Sequence, residues 1–272
     1  MKKVVKSASL IILSLYLLIP LGATFLYSFA TQWSRTVLPE GLTFKWYQLL
    51  FSDSEFISSL LHSLLLTGGT TLAAVLIMVP AIYGIVLYFP QFERLIKWTI
   101  IGVYTMPGII SSVGLLKGYA NTSIPMLFVV GGAYFVSILP FMYQGIRNNL
   151  RNINVVQLVE AAEILGASKL VAFRKIILPN IMPGVVVSAL LSFSVLFGEF
   201  VMINILLGSN FKTIQIYLME NLQKNGHISS AIVSCYFILL ALITLIILKY
   251  TLSKKGEHMN ELHHHQTVSE DV

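Results

Sequence analysis

Six stretches of roughly twenty or more mostly apolar residues divide this chain, at 10–30, 60–89, 96–116, 124–146, 181–207 and 228–250. A helix of about 20 such residues crosses the hydrocarbon layer of a bilayer. In lipid the backbone must satisfy its own polar groups, which an α-helix does. The pattern therefore predicts an all-α membrane protein with six transmembrane helices. Composition agrees, at 56% hydrophobic, 11% charged and a mean hydropathy of +0.80, where a soluble domain carries about 25% charged residues. The second stretch is too long to lie wholly in the membrane. The third and fourth are interrupted by Pro107, Gly108, Gly114, Pro125, Gly131, Gly132 and Pro140. They are expected to be short, broken spans, lining a pathway or simply kinked where neighbouring helices re-satisfy the backbone.

The net charge of +6 is spread thinly between the apolar runs, which speaks for membrane topology and against a nucleic-acid surface. With the N-terminus inside, thirteen of the 18 basic residues fall on one side. They are Lys2, Lys3, Lys6, Arg94, Lys97, Arg147, Arg151, Lys169, Arg174, Lys175, Lys249, Lys254 and Lys255. Only Arg35, Lys45, Lys117, Lys212 and Lys224 fall on the other. The excess places both termini in the cytoplasm. The first run resembles a signal peptide in its basic start, but its length and the lack of a small-residue cleavage site favour an uncleaved anchor.

Residues 1–59 then form a membrane anchor and an external segment, 60–250 a transmembrane core with a cytoplasmic loop at 147–180, and 251–272 a cytoplasmic polar tail expected to be disordered. The external segment carries turn signals at Pro39-Glu40-Gly41 and interfacial aromatics Trp33, Phe44, Trp46, Tyr47 and Phe51, with a short amphipathic helix expected near 44–51. A second external segment covers 209–227. Cys235 sits alone in an apolar run, so no disulfide framework or thiolate cluster forms within the chain. His263-His264-His265 in the tail is at most a weak metal binder; no metal site and no cofactor are expected.

The loop is the most patterned polar stretch. Asn154 and Gln157 have capping-box spacing. Gly166 stands where a helix-ending glycine belongs. Ser168 is placed to cap a second short helix over 169–177, and Leu178-Pro179 reads as its stop. Pro183 is placed to begin the fifth span. Val155, Leu158, Val159 and Ala162 form an apolar stripe, expected to face the cytoplasm as a docking surface unless a partner covers it. A helix lying on lipid headgroups accounts for the stripe and for Arg174 and Lys175. It does not account for Glu160, Glu163, the glycine turn and Leu-Pro together.

Glu160-Ala161-Ala162, Gly166, Ile176 and Leu178-Pro179 reproduce, without departure in residue or spacing, the EAA loop of permease subunits of binding-protein-dependent ABC importers. Pro80-Ala81-Ile82-Tyr83, Met106-Pro107-Gly108-Ile109 and Pro183-Gly184 also resemble that family, over about 60–250. His62-Ser63 departs from an expected Asn-Ser. The resemblance implies the type I importer permease architecture. It makes 155–168 a coupling helix seated in a groove of a separate ATPase subunit dimer. It implies a second permease subunit, identical or related, and an extracytoplasmic solute-binding protein, all at the bacterial cytoplasmic membrane. The chain has no Gly-x-x-x-x-Gly-Lys-Ser/Thr loop, so it is expected to be a transport subunit rather than an enzyme.

Glu199 is the one acidic residue deep in an apolar run, and such a residue is a functional candidate by default. Ser188, Ser192 and Glu199 share a helix face by spacing, with Asn204 farther outward. Glu199, Ser192 and Asn204 are thus candidates for the pathway, a gate or a subunit interface. Phe197-Gly198-Glu199-Phe200 with Leu207-Gly208 resembles permeases for polyamines, aminoalkylphosphonates, ferric iron, thiamine, sulfate and molybdate. The segment Gly41-Leu42-Thr43-Phe44-Lys45-Trp46-Tyr47 looks most like the spermidine/putrescine-type branch, which is favoured. A membrane enzyme lacks the paired acids or Ser–base spacing it needs. A stand-alone channel or secondary transporter leaves the patterned loop without a use.

Overall fold

In a computed structural model the backbone of residues 2–33 and 38–270 is described. Arg35, and the side chains of Lys2, Lys3, Lys6, Lys254, Lys255 and His263 to His265, lie outside what is described. Twelve α-helices follow one another among the described residues: α1 Lys2–Phe29, α2 Lys45–Ser52, α3 Ser54–Tyr88, α4 Glu93–Thr105, α5 Gly108–Tyr119, α6 Met126–Asn152, α7 Val155–Ile164, α8 Lys169–Ala172, α9 Leu178–Phe197, α10 Val201–Leu206, α11 Ile214–Asn221 and α12 Gly226–Glu270. The only β feature among them is an isolated bridge between Ala30 and Leu42. The all-α class expected from the apolar runs is what folds.

Among the described residues, five helical segments are long and apolar enough to cross a membrane: Ser9–Phe29, Ser54–Tyr88, Met126–Asn152, Lys169–Phe197 and Gly226–Lys249. A sixth forms if Pro90–Thr105 and Gly108–Tyr119 count as one broken span, bent by 94°. The break falls at Met106-Pro107. Proline removes a donor and drives the residue before it to extended backbone, and Met106 has φ −81° and ψ 119°. The third apolar run is therefore broken at its proline, as expected. The fourth is not: Pro125 sits at the N-cap of α6, where its missing N–H costs nothing, and α6 runs unbroken through Pro140. The 35 residues of α3 extend about 52 Å at 1.5 Å per residue, well beyond a hydrocarbon layer of roughly 30 Å.

Three other expectations are corrected. The fifth span does not run through 181–207. It begins with α8, continues through a π-helical turn at Phe173–Ile177 into α9, and ends at Phe197. Neither Pro179 nor Pro183 bounds a helix, because both lie within this one. The wider π turn accommodates a proline that would crowd the preceding turn of a regular helix, and Asn180 Nδ2 donates to the Ile176 carbonyl at 2.8 Å. Finally, α12 continues to Glu270 instead of ending in a disordered tail; once a span has nucleated the helix, adding residues is easy where no proline stops it.

Contacts gather the chain into two units, Met1–His62 with Phe211–Ala241, and Ser63–Asn210 with Leu242–Val272. In the first, α2 forms where an amphipathic helix is expected, and its aromatics are packed rather than loose. Trp46 Nε1 donates to the Ala30 carbonyl at 2.8 Å, and Tyr47 shares a 2.7 Å hydrogen bond with Ser28. The His227 ring stacks between Tyr27, at 4.2 Å, and Trp46, at 5.0 Å. In the second unit, α6 and α9 pack side by side, and α10 packs on α5 and α6.

Candidate functional site

In the loop between α6 and α9, helix α7 is bounded by two left-handed residues. Asn154 has φ 48° and ψ 57°, a conformation that asparagine tolerates better than most residues. Its N–H donates to the Arg151 carbonyl at 3.1 Å, so Asn154 closes the end of α6. Its side chain makes no cap bond to α7, and the capping box expected with Gln157 does not form. Gly166 has φ +82°. Its N–H reaches the Glu163 carbonyl at 2.9 Å, and that of Ala167 reaches Ala162, also at 2.9 Å. These are the paired bonds of a Schellman helix end, at the glycine expected to supply it. Ser168 then caps α8, its Oγ accepting from Val171 N at 3.4 Å.

The two turns fold α7 back over its own chain. Val155, Val159 and Ala162 are buried and Leu158 is half-buried, because α7 packs on α6, α8 and the π turn. The apolar stripe is therefore not the docking surface it was expected to be; the chain covers it. What stays open is the opposite side. Ile164 and Leu165 are 86% and 87% exposed, beside exposed Glu160, Ala161, Glu163 and Gly166, with Leu170 close by in sequence. Of the remaining signature residues, Ile176 and Leu178 are half-buried and Pro179 is exposed.

The loop is tied firmly to the spans. The Phe173 ring lies 4.6 Å from that of Tyr83 on α3. Lys169 sits over the Tyr88 ring at 5.1 Å and pairs with Glu163 at 3.7 Å. Glu93, at the start of α4, accepts from Arg147 at 2.7 Å and from Arg151 at 3.2 Å, two residues one turn apart at the end of α6. A reciprocal contact locks the helices that leave the loop. Asn149 Nδ2 donates to the Gly145 carbonyl at 2.8 Å, and Ser188 Oγ donates to the Gly184 carbonyl at 2.8 Å. Each small polar side chain occupies the space where a Cβ on the other helix's glycine would stand. The i, i+4 pairs Gly145/Asn149 and Gly184/Ser188 are visible in the sequence, but only packing shows that they face each other.

Glu199 lies in the non-helical turn between α9 and α10. It does not continue the helix face of Ser188 and Ser192, because α9 ends two residues before it. Its Oε1 accepts from Met202 N at 2.8 Å. Its Oε2 accepts from Ile203 N and from the Tyr134 hydroxyl of α6, both at 3.3 Å. Asn204 is exposed on α10, whereas Ser192 is enclosed on α9, its hydroxyl without a hydrogen-bond partner among the described residues. Replacing such a group by a methyl relieves an unmet polar atom, an effect of about 1 kcal/mol. Ser192→Ala is therefore expected to retain uptake and to match or exceed wild-type thermal stability in detergent. A loss of uptake with unchanged stability would place Ser192 on the solute's route.

Sequence reading missed a polar knot in the first unit. Lys212 Nζ donates to Glu55 and, at 2.7 Å, to Glu220, and these two bonds hold its pKa above the ordinary lysine value. The Tyr217 hydroxyl donates to Asp53 at 2.6 Å and keeps that carboxyl below the usual carboxylate range. His62 stacks on Phe211 at 4.3 Å and donates from Nδ1 to the Lys212 carbonyl at 3.0 Å. The histidine that departs from the family's expected asparagine thus has a structural use.

Several apolar spanning helices, with a folded helical loop rooted in two of them, define a multi-pass membrane transport subunit. The chain belongs to the family of binding-protein-dependent transport system inner membrane components, whose sequence profile matches residues 2–255. It is a permease of the ABC importer class. It is 26% identical over 223 residues to the spermidine/putrescine transport system permease protein PotC of Haemophilus influenzae, covering 80% of this chain and 85% of that one. It is 28% identical over 185 residues to the protein of the same description from Escherichia coli K12, covering 66% and 69%. A Haemophilus influenzae Fe(3+)-transport system permease, FbpB 2, is 26% identical over 199 residues, 72% of this chain and 39% of that one. Among solved structures, a bacterial ABC transporter involved in the import of the acidic polysaccharide alginate has a chain that superposes with a TM-score of 0.70 at 19% identity, covering 91% and 95%. At that identity the likeness speaks to the fold.

Proposed function

We propose that this chain is one of two permease subunits, identical or related, through which a bacterial importer moves a small polar solute across the cytoplasmic membrane. Both termini face the cytoplasm. A separate ATPase dimer supplies the energy, and an extracytoplasmic binding protein delivers the solute. The observation that carries this reading is the complete EAA signature on a loop with apolar, highly exposed Ile164 and Leu165 at its turn. Contiguous exposed apolar surface marks an interaction site, and here it adjoins Glu160, Ala161 and Gly166. Because α6 and α9 leave the loop and pack on each other, displacement of the loop by an ATPase reaches the spanning core. The chain is a transport subunit and hydrolyses no ATP itself.

A polyamine-like cargo is favoured by the spermidine/putrescine permeases among its relatives. The ferric-iron permease supports a second reading, in which the solute is ferric iron or another cargo of the same group, such as an aminoalkylphosphonate, thiamine or an oxyanion. Calorimetry of the partner binding protein against each candidate solute separates these, since only the true cargo should bind with high affinity.

The docking surface is tested by pull-down of the ATPase subunit. Ile164→Asp with Leu165→Asp is expected to leave the permease folded, since both side chains are already exposed. Recovery of the ATPase should fall roughly tenfold or more, the loss of about 1.4 kcal/mol or more of binding. Undiminished recovery overturns the assignment of this surface.

A further inference from the structure

The two helices that leave the loop meet again at Glu199. Helix α9 ends at Phe197, two residues before it, and α6 contributes Tyr134, whose hydroxyl donates to Glu199 Oε2 at 3.3 Å. Tyr134 lies eleven residues along α6 from Gly145, about 16 Å at 1.5 Å per residue. The α6–α9 pair is thus joined near the loop by the glycine lock and near its far end by a tyrosine–carboxylate bond. The same carboxylate accepts from Met202 N and Ile203 N, so it holds the start of α10, which packs on α5. Among the described residues its three bonds are all internal: two organise α10 and one ties that segment to α6.

We infer that Glu199 is a positioning residue, a pin that makes the short α10 follow the α6–α9 pair, so that displacement of the loop reaches α10. This inference rests on the importer reading and goes beyond it. It gives Glu199 work other than contacting solute. The carboxylate's bonds to two amides and a hydroxyl commit it to its own fold, and loss of the tyrosine bond leaves the start of α10 capped while removing its hydrogen bond to α6, on which it still packs.

The test needs no knowledge of the solute. A single-thiol permease is made with Cys235→Ser and Asn204→Cys, which places the probe on exposed α10. It is purified in complex with its ATPase and partner subunits. Maleimide labelling is compared between the nucleotide-free complex and the complex trapped with ATP and vanadate. Labelling of Asn204→Cys is expected to change several-fold on trapping. Adding Tyr134→Phe should preserve assembly and vanadate trapping while reducing that change roughly 2- to 10-fold, the range expected for one hydrogen bond. Glu199→Gln, which alters the same bond from the other side, should act alike, and the two together should do little more than either alone. A purely structural role would lower assembly and trapping together. If the complex traps no nucleotide, the importer reading itself fails. If it traps nucleotide but labelling does not respond, or responds equally in Tyr134→Phe, the pin is overturned and the importer reading stands.

Discussion

Gly145→Leu is expected to leave little folded permease, and Gly145→Ala to lower its thermal stability measurably. A Cβ on Gly145 stands 2.8 Å from the Ser188 Cβ and overlaps the Ser188 hydroxyl more closely still. A hydroxyl can rotate away, but a Cβ moves only with its backbone, so α6 and α9 must part. Overpacking of this kind costs about 1–3 kcal/mol in a well-packed core, a large share of a total stability of roughly 5–15 kcal/mol. Close approach of helix backbones at small residues is also how membrane helices associate, since lipid supplies little hydrophobic drive between them. The check is thermal unfolding of the detergent-solubilised protein, followed by size-exclusion chromatography. Ser188→Gly should rescue Gly145→Ala by removing the obstructing atoms. Rescue by Ser188→Gly, with none by a glycine elsewhere on α9, identifies steric fit as the cause; absence of rescue would show that Gly145 matters for another reason.

Gly166→Val should lower ATPase recovery roughly 5- to 30-fold while leaving the spans folded. Nothing lies within 4 Å of a Cβ placed on Gly166, so the effect is conformational and not a clash. The left-handed φ of +82° costs an L-residue about 1–2 kcal/mol, and a β-branched side chain suffers most. If the turn opens, the bonds from Gly166 and Ala167 back to Glu163 and Ala162 are lost, and the packing of α7 on α8 loosens. The substitutions should rank as asparagine mildest, alanine intermediate and valine worst, since asparagine adopts this conformation most readily. Pull-down of the ATPase, with size-exclusion behaviour of the permease alone as control, reads the series. Equal losses for asparagine and valine would refute a backbone origin.

Much of this was legible along the chain. The six apolar runs predict the spans, Pro107 the break in the third, and Gly166 with Ser168 the turn from α7 to α8. These features succeed because they are local: a proline lacks its N–H wherever it stands, and a glycine reaches positive φ without help. The misreadings at Asn154, Pro179 and Pro183 arose where a local signal had more than one outcome. Asn154 closes the helix before it instead of opening the one after. Pro179 ends no helix because a π turn absorbs it.

What the sequence determined by itself was the class of protein, the order of its elements and the EAA signature, since hydrophobic length and spacing are properties of one dimension. Which surfaces face which was decided by the tertiary structure. The α7 stripe reads as a docking face until α6, α8 and the π turn are seen to cover it, leaving Ile164 and Leu165 outside. Glu199 reads as a lone acid on a long helix until α9 is seen to end before it and Tyr134, 65 residues earlier, arrives from α6. A side chain's partner depends on where distant segments cross, and a hydrogen bond is made or lost within a few tenths of an ångström.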